Sequence, residues 1–390
     1  MSKPRKKVQN SCAMLLSNSL PTKLPCKPMK AMTIKRLLLC STAGLRGLMQ
    51  LSRVMNKSLL LFIFLSLVLG CGKSSNSDNS SSIPLETGFN PKCSTYSATI
   101  TIYPSPYQGT LRRCIASDRQ FYIYLPENYS EVGSSYPAMF SLHGYTSTAL
   151  TNMSYTGFMK QADINDFVVI YPQGLVHETK GGTHWNIDEI GPGNSVNSIE
   201  FLESVLDWVG QNYNINLNQF YSAGMSNGGF MSYHLACNIN SKIAAIASVT
   251  GSMSVFSYEN CNAQPTSVMQ IHGSVDTIVP YDGTVTASGV GFKGIEDVMG
   301  YWSNNNVCNL EPSIATISDI SGNGVSGTHR IYSECANDVE VQLYLLEGVG
   351  HDWPENYEVD GNGGTGQYDI NSAEIIWAFF NNFDQLGRKQ

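Results

Sequence analysis

From Gln219 to Ala223 the residues suit a short strand, and from Asn227 onward Phe230, Tyr233 and Cys237 recur at i, i+3 and i+7, as one face of a helix requires. The change from one period to the other falls within Gly224-Met225-Ser226-Asn227-Gly228-Gly229. Here Gly224, Ser226 and Gly228 form Gly-x-Ser-x-Gly, in which small flanking residues let the backbone turn sharply enough to push the serine hydroxyl outward. With 35 glycines in 390 residues, such a triplet arises by chance in roughly a few tenths of chains. Its single occurrence between strand-like and helix-like text gives it weight, although a glycine-rich turn with an inert serine would be spelled the same way.

The amino-terminal text has a different character. Its first 54 residues contain no Asp or Glu, and Met1 to Lys57 hold 12 of the 24 Lys and Arg. Leu59 to Leu69 is apolar but for Ser66, too short to cross a bilayer as a helix and suited to the core of a secretory signal. Val68-Leu69-Gly70-Cys71 resembles a bacterial lipobox, which implies cleavage before Cys71 and lipidation of its sulfur, with plain secretion as the alternative. Residues 1–70 therefore read as a leader, with Met55 as its true start. Residues 71–91, Ser- and Asn-rich, read as a disordered tether, and 92–390 as one folded domain, large enough for a single core.

Without the leader, 12 basic residues face 31 acidic ones, a formal net charge of −19. Such a surface repels polynucleotides and excludes a nucleic-acid partner. With Cys71 also set aside, six cysteines remain: Cys93, Cys114, Cys237, Cys261, Cys308 and Cys335. They allow 15 pairings and lack metal-site spacing. In an oxidising compartment neighbours in sequence are the favoured partners, Cys93 with Cys114, Cys237 with Cys261 and Cys308 with Cys335; six buried free thiols are the alternative.

The folded region alternates strand-like and helix-like segments, which predicts an α/β architecture with a mostly parallel sheet and helices on both faces. Ser97–Tyr103 and Gln120–Leu125 read as early antiparallel strands. Ala138–Leu142, Phe167–Tyr171, Ile243–Val249, Ser267–His272 and Val339–Leu346 read as buried strands. Asn197-x-x-Glu200 can open a helix carrying Leu202, Val205, Leu206 and Val209, and Ser372–Phe383 reads as the last helix.

Such sheets place chemistry in the loops at the carboxyl ends of their strands. Three of those loops should meet Ser226. In Leu142-His143-Gly144-Tyr145, the Tyr145 amide could join the Asn227 amide as an oxyanion hole, with His143 bracing the loop. In His272-Gly273-Ser274-Val275-Asp276, Asp276 is the carboxylate best placed to orient an imidazole, ahead of Asp282 and Asp297. In Gly348-Val349-Gly350-His351-Asp352-Trp353, His351 is the best general base, ahead of His184 and His234. The order Ser226, Asp276, His351 is that of α/β-hydrolases.

His143-Gly144, Gly224-x-Ser226-x-Gly228-Gly229, His272-Gly273-x-x-Asp276-x-x-Val279-Pro280-Tyr281 and Gly350-His351-x-Trp353-Pro354 together resemble the secreted polyhydroxybutyrate depolymerase and feruloyl esterase family of α/β-hydrolases. So do Tyr171-Pro172-x-Gly174 and Trp185-Asn186. The likeness covers roughly 93–385. Asn197-Ser198-Ile199-Glu200 lacks the paired aspartates associated with that family. The resemblance implies a serine esterase acting without metal or cofactor on polymer esters, whether feruloyl or acetyl groups on plant polysaccharide or a polyhydroxybutyrate-type polyester. It also implies an aromatic cleft in which Trp185 and Trp353 could contact the acyl group; either is as readily core filler. A serine peptidase of similar fold and a non-catalytic carbohydrate-binding scaffold are the competing readings.

Overall fold

The computed structural model describes residues 88–389, save 98–100, 102–106, 192, 286–290, 321, 323 and 356–367. The expected leader, Met55, Cys71 and most of the tether lie outside the described residues.

Eleven strands form one sheet: β1 Lys92–Thr95, β2 Thr110–Ala116, β3 Arg119–Leu125, β4 Tyr136–Leu142, β5 Val168–Pro172, β6 Ile215–Met225, β7 Ala245–Val249, β8 Ser267–Gly273, β9 Ser313–Ile317, β10 Ser326–Tyr332 and β11 Val341–Glu347. Their spatial order is β1-β2-β3-β5-β4-β6-β7-β8-β11-β10-β9. The central six, β5 through β11, pair in parallel; the three strands on one flank and the β9–β10 hairpin on the other pair antiparallel. Both faces of the middle strands are covered: β5, β7 and β8 are buried at every position, which is why they read as continuous rather than alternating apolar runs. Antiparallel β9 is exposed at four of its five residues.

Among the described residues seven α-helices accompany the sheet: α1 Ala149–Tyr155, α2 Phe158–Asn165, α3 Ser198–Asn212, α4 Asn227–Asn238, α5 Val255–Asn260, α6 Ile295–Asn305 and α7 Ser372–Phe380. They build two separate cores, one per face of the sheet. Ala138 and Phe140 of β4 join α3, α4 and α6 in one core, whereas Met139, between them, joins α1, α2 and α7 in the other. The pleat of a strand requires this division. At the start of α3, Asn197 accepts from the Glu200 amide at 3.0 Å and its own amide donates to the Glu200 carboxylate at 2.7 Å. Leu202, Val205, Leu206 and Val209 are all buried, as their spacing predicts.

Several boundaries differ from the sequence reading. The first strand is Lys92–Thr95 rather than Ser97–Tyr103, and part of the expected span lies outside the described residues. Strand β2 went unnoticed because Arg112 and Arg113 interrupt its alternation, and the β9–β10 hairpin because its exposed Ser and Thr carry no core signal. Helix α7 ends at Phe380, and Phe383–Asp384 instead pairs with Gly387–Arg388. The cysteines pair as neighbours in sequence: Cys93 with Cys114, Cys237 with Cys261, Cys308 with Cys335. The first of these lies across directly opposed residues of β1 and β2.

Two buried imidazoles couple stability to pH. Burial lowers His143 and His234 from 6.5 to about 4. Between those values the unfolded chain binds protons that the folded chain does not, so stability falls as pH falls through that window. Thermal unfolding should therefore show a melting temperature that declines steadily from pH 6.5 toward pH 4, and His234→Gln should make the decline shallower. A flat profile in wild type would refute the assignment.

Candidate active site

Ser226 stands between the end of β6 and the start of α4 with φ 54° and ψ −122°, a conformation a non-glycine residue adopts only when its surroundings enforce it. Those surroundings are visible. Its amide donates to Val249 O of β7 at 2.8 Å, and the flanking glycines let α4 press against the sheet. A Cβ on Gly228 would lie 2.1 Å from Leu142 O, and one on Gly224 would lie 2.4 Å from the Gly228 carbonyl carbon. No larger residue fits either position without moving backbone.

Strands β8 and β11 run side by side in parallel, with Gly273 opposite Leu346, so the loops that follow them leave together. Gly273 again permits close approach: a Cβ there would meet Val349 O at 2.1 Å. The result is a short contact between residues 75 apart, in which His351 Nδ1 donates to Asp276 Oδ2 at 2.7 Å. The other carboxylate oxygen accepts from the amides of Ile278 and Val279 at 2.8 and 2.9 Å. Burial acts to raise the Asp276 carboxyl, yet the bonds from His351 and these amides outweigh it and hold the group below its usual value. Neighbouring His272 is fully buried, with one ring nitrogen on Val279 O and the other on Gln270 Nε2. Burial lowers its pKa despite Asp276 nearby, so it braces the turn as a neutral ring. Asp282 and Asp297 take no part in this contact.

Ser226 Oγ makes no hydrogen bond to His351 among the described residues. Ser226 instead opens into a cleft of about 680 Å³, which it lines together with Tyr145, Asn227, Phe230, Phe256 and Phe292. Alongside runs the Gly144-Tyr145 loop; a Cβ on Gly144 would lie 3.5 Å from Ser226 Cβ. The Asn227 N–H opens α4, where first-turn amides have no acceptor within their helix, and the Tyr145 N–H meets no backbone acceptor among the described residues. His143 braces this loop from beneath, donating from Nδ1 to Gly144 O at 2.8 Å and accepting the Gly174 amide on Nε2 at 2.9 Å.

Both tryptophans expected at the acyl group are buried, at 1% exposure for Trp185 and 3% for Trp353. Trp185 donates through Nε1 to His143 O and exchanges backbone bonds with the Asn227 side chain. Trp353 packs edge-on against Tyr155 and Phe158, with Nε1 on Glu355. Their rings support the loops of the site and present no open face. The aromatic surface of the cleft comes from Phe230, Phe256 and Phe292, which the sequence reading missed: Phe230 appeared only as helix periodicity, and Phe292 lies in a short pair with Thr284–Val285 that no pattern announces.

A mostly parallel sheet between two helical layers, with a strained serine after its central strand and a His–Asp pair on the loops of two later strands, defines an α/β-hydrolase. Residues 113–270 match the model of the family described as "Putative esterase". A bifunctional acetylxylan esterase/xylanase of Neocallimastix patriciarum is 29% identical over 60% of this chain and 31% of its own length, so the chain spans about a third of that relative. Acetylxylan esterase A of Emericella nidulans is 27% identical over 62% of this chain and 81% of its own. Among solved structures, an acetyl xylan esterase from Aspergillus awamori covers 70% of this chain and 99% of its own at 14% identity, with a TM-score of 0.48.

The glycine contacts predict a sharp contrast. Gly228→Ala must displace the Leu142 carbonyl and should destabilise by on the order of 1–3 kcal/mol. Gly300→Ala, inside α6 with nothing within 4 Å of the new carbon, should stabilise by about 0.4–1 kcal/mol. Denaturant melts of the two variants check both signs.

Proposed function

We propose that this protein is an exported serine esterase that releases acyl groups from a polymer, with aromatic acyl esters of plant polysaccharide as its best substrates. The observation that carries the reading is the 2.7 Å bond from His351 Nδ1 to the buried Asp276 carboxylate. It spends the Nδ1 proton on the carboxylate and leaves Nε2 as the basic nitrogen.

The mechanism follows from those positions. His351 takes the Ser226 proton as the hydroxyl attacks the ester carbonyl, and the amides of Tyr145 and Asn227 receive the oxyanion. His351 then protonates the leaving alcohol, and water repeats the cycle on the acyl-enzyme. The Ser226–His351 bond forms as substrate seats; in free enzymes such bonds are commonly long or absent. An apolar wall of Phe230, Phe256 and Phe292 favours an aryl acid over an acetyl group, which would leave most of a cleft of about 680 Å³ unfilled. Three disulfides support an oxidising compartment, consistent with the apolar Leu59–Leu69 segment acting as an export signal and Cys71 as a lipid-anchor site.

Ser226→Ala should reduce hydrolysis of methyl ferulate and p-nitrophenyl acetate by several orders of magnitude while the melting temperature stays near wild type. A fluorophosphonate probe should label wild type at Ser226 and spare the variant. Unchanged turnover would remove Ser226 from the reaction, and hydrolysis of casein in place of esters would favour the peptidase. As a second check, Asp276→Asn should lower kcat by about 10³- to 10⁴-fold with little change in KM, because it frees the imidazole to take the wrong tautomer.

A further inference from the structure

A second hollow, of about 370 Å³, adjoins the cleft and shares Asp188, Glu189 and Phe256 with it. The carboxyl-terminal half of α4 supplies His234 and Asn238 to its lining. His234 is 7% exposed, and its Nδ1 lies 2.8 Å from Ser257 Oγ. Its Nε2, on a side chain that lines the hollow, has no protein partner among the described residues. That nitrogen is not among the buried polar atoms left without a partner, so it is available to a hydroxyl entering the hollow, and burial keeps the ring neutral at ordinary pH.

The rest of the lining narrows what could satisfy it. No Lys or Arg lines the hollow, so an anion finds no countercharge. The carboxylates of Asp188 and Glu189 form no ion pair among the described residues, and the exposed Asn238 amide adds both a donor and an acceptor. Beside these polar groups stands the Phe256 ring, an apolar face. Hydroxyl-accepting carboxylates, a neutral imidazole, an amide and one aromatic face match a neutral pyranose, whose rim is hydroxyls and whose ring face is C–H.

We propose that this hollow is a subsite for a neutral sugar residue of the polysaccharide that carries the ester, so that the enzyme holds polymer and acyl group in adjoining compartments. The inference deepens the esterase reading and rests on it for the polymer's identity. The shared residues Asp188, Glu189 and Phe256 set the two hollows side by side, so a substrate with its ester at Ser226 would cross them to reach the second.

The test titrates xylo-oligosaccharides into Ser226→Ala protein by calorimetry and by saturation-transfer NMR. Binding should be measurable and should weaken at least tenfold in Ser226→Ala/Asn238→Leu, whose second change lies on an exposed helix end and spares the fold. Ser226→Ala/His234→Phe should behave likewise; if it unfolds, the Asn238 variant alone decides. In the Ser226-containing background, the KM for feruloylated oligosaccharide relative to that for p-nitrophenyl acetate should rise fivefold or more in Asn238→Leu. No sugar binding, equal binding by parent and variants, or displacement of the sugar by 3-hydroxybutyrate oligomers would overturn the subsite. Groove-dependent sugar binding by a protein that hydrolyses no ester would uphold it while removing the esterase reading.

Discussion

Everything about this site depends on how closely α4 approaches the carboxyl ends of β4 and β6. Gly228 sits against Leu142 O with room for a hydrogen and nothing more. That contact fixes the helix axis, the helix axis fixes the amide of Asn227, and the turn between them forces Ser226 to a positive φ. The strain belongs to a structure that over-determines it: the Ser226 amide is tied to β7, and Gly229 lies against Ser248 and Gly251. Without the two-sided burial of β6 and β7, nothing would hold a serine in this conformation.

The His351–Asp276 pair rests on a different constraint, the parallel register of β8 and β11. Between these strands the chain makes α6 and an antiparallel hairpin, yet β11 returns beside β8 with Gly273 opposite Leu346. Residues far apart in sequence thus depart from the same edge in the same direction. A one-residue slip would move every side chain of the slipped strand into the core on the opposite face, so the packing that stabilises the sheet also sets the imidazole against the carboxylate. The His351–Asp276 geometry is a by-product of core registry, and the hydrogen bonds that Asp276 accepts from the Ile278 and Val279 amides complete it locally.

Legibility in the sequence followed the strength of the local signal. Buried central strands, the α3 cap at Asn197 and the elbow glycines were readable because each writes a short-range pattern: a continuous apolar run, an Asn followed by Glu, a Gly-x-Ser-x-Gly. The partner loops were readable because each puts a chemically suitable residue just past such a strand. Strand β2 and the β9–β10 hairpin were not, since Arg112, Arg113 and the exposed residues of β9 are held by neighbours rather than by burial. The role of Trp185 and Trp353 was misjudged for a related reason. A tryptophan near a site is the same letter whether its ring faces a ligand or the core, and only the contacts of Nε1 with His143 O and Glu355 decide it.

Those two tryptophans also explain why the cleft can be apolar without losing its shape. Trp185 links the His143 loop to the Asn227 side chain, so the two amides proposed to meet the oxyanion are braced by one buried ring. The Tyr145 hydroxyl, reaching Gly181 O at 2.5 Å, ties the same loop to the hairpin that carries Thr183 and His184. Polar braces lie behind the backbone, and the phenylalanines of the cleft lie in front of it. A substrate thus meets an apolar wall, while the donors that would respond to charge on its carbonyl are held rigid from the protein side, the arrangement electrostatic preorganisation requires.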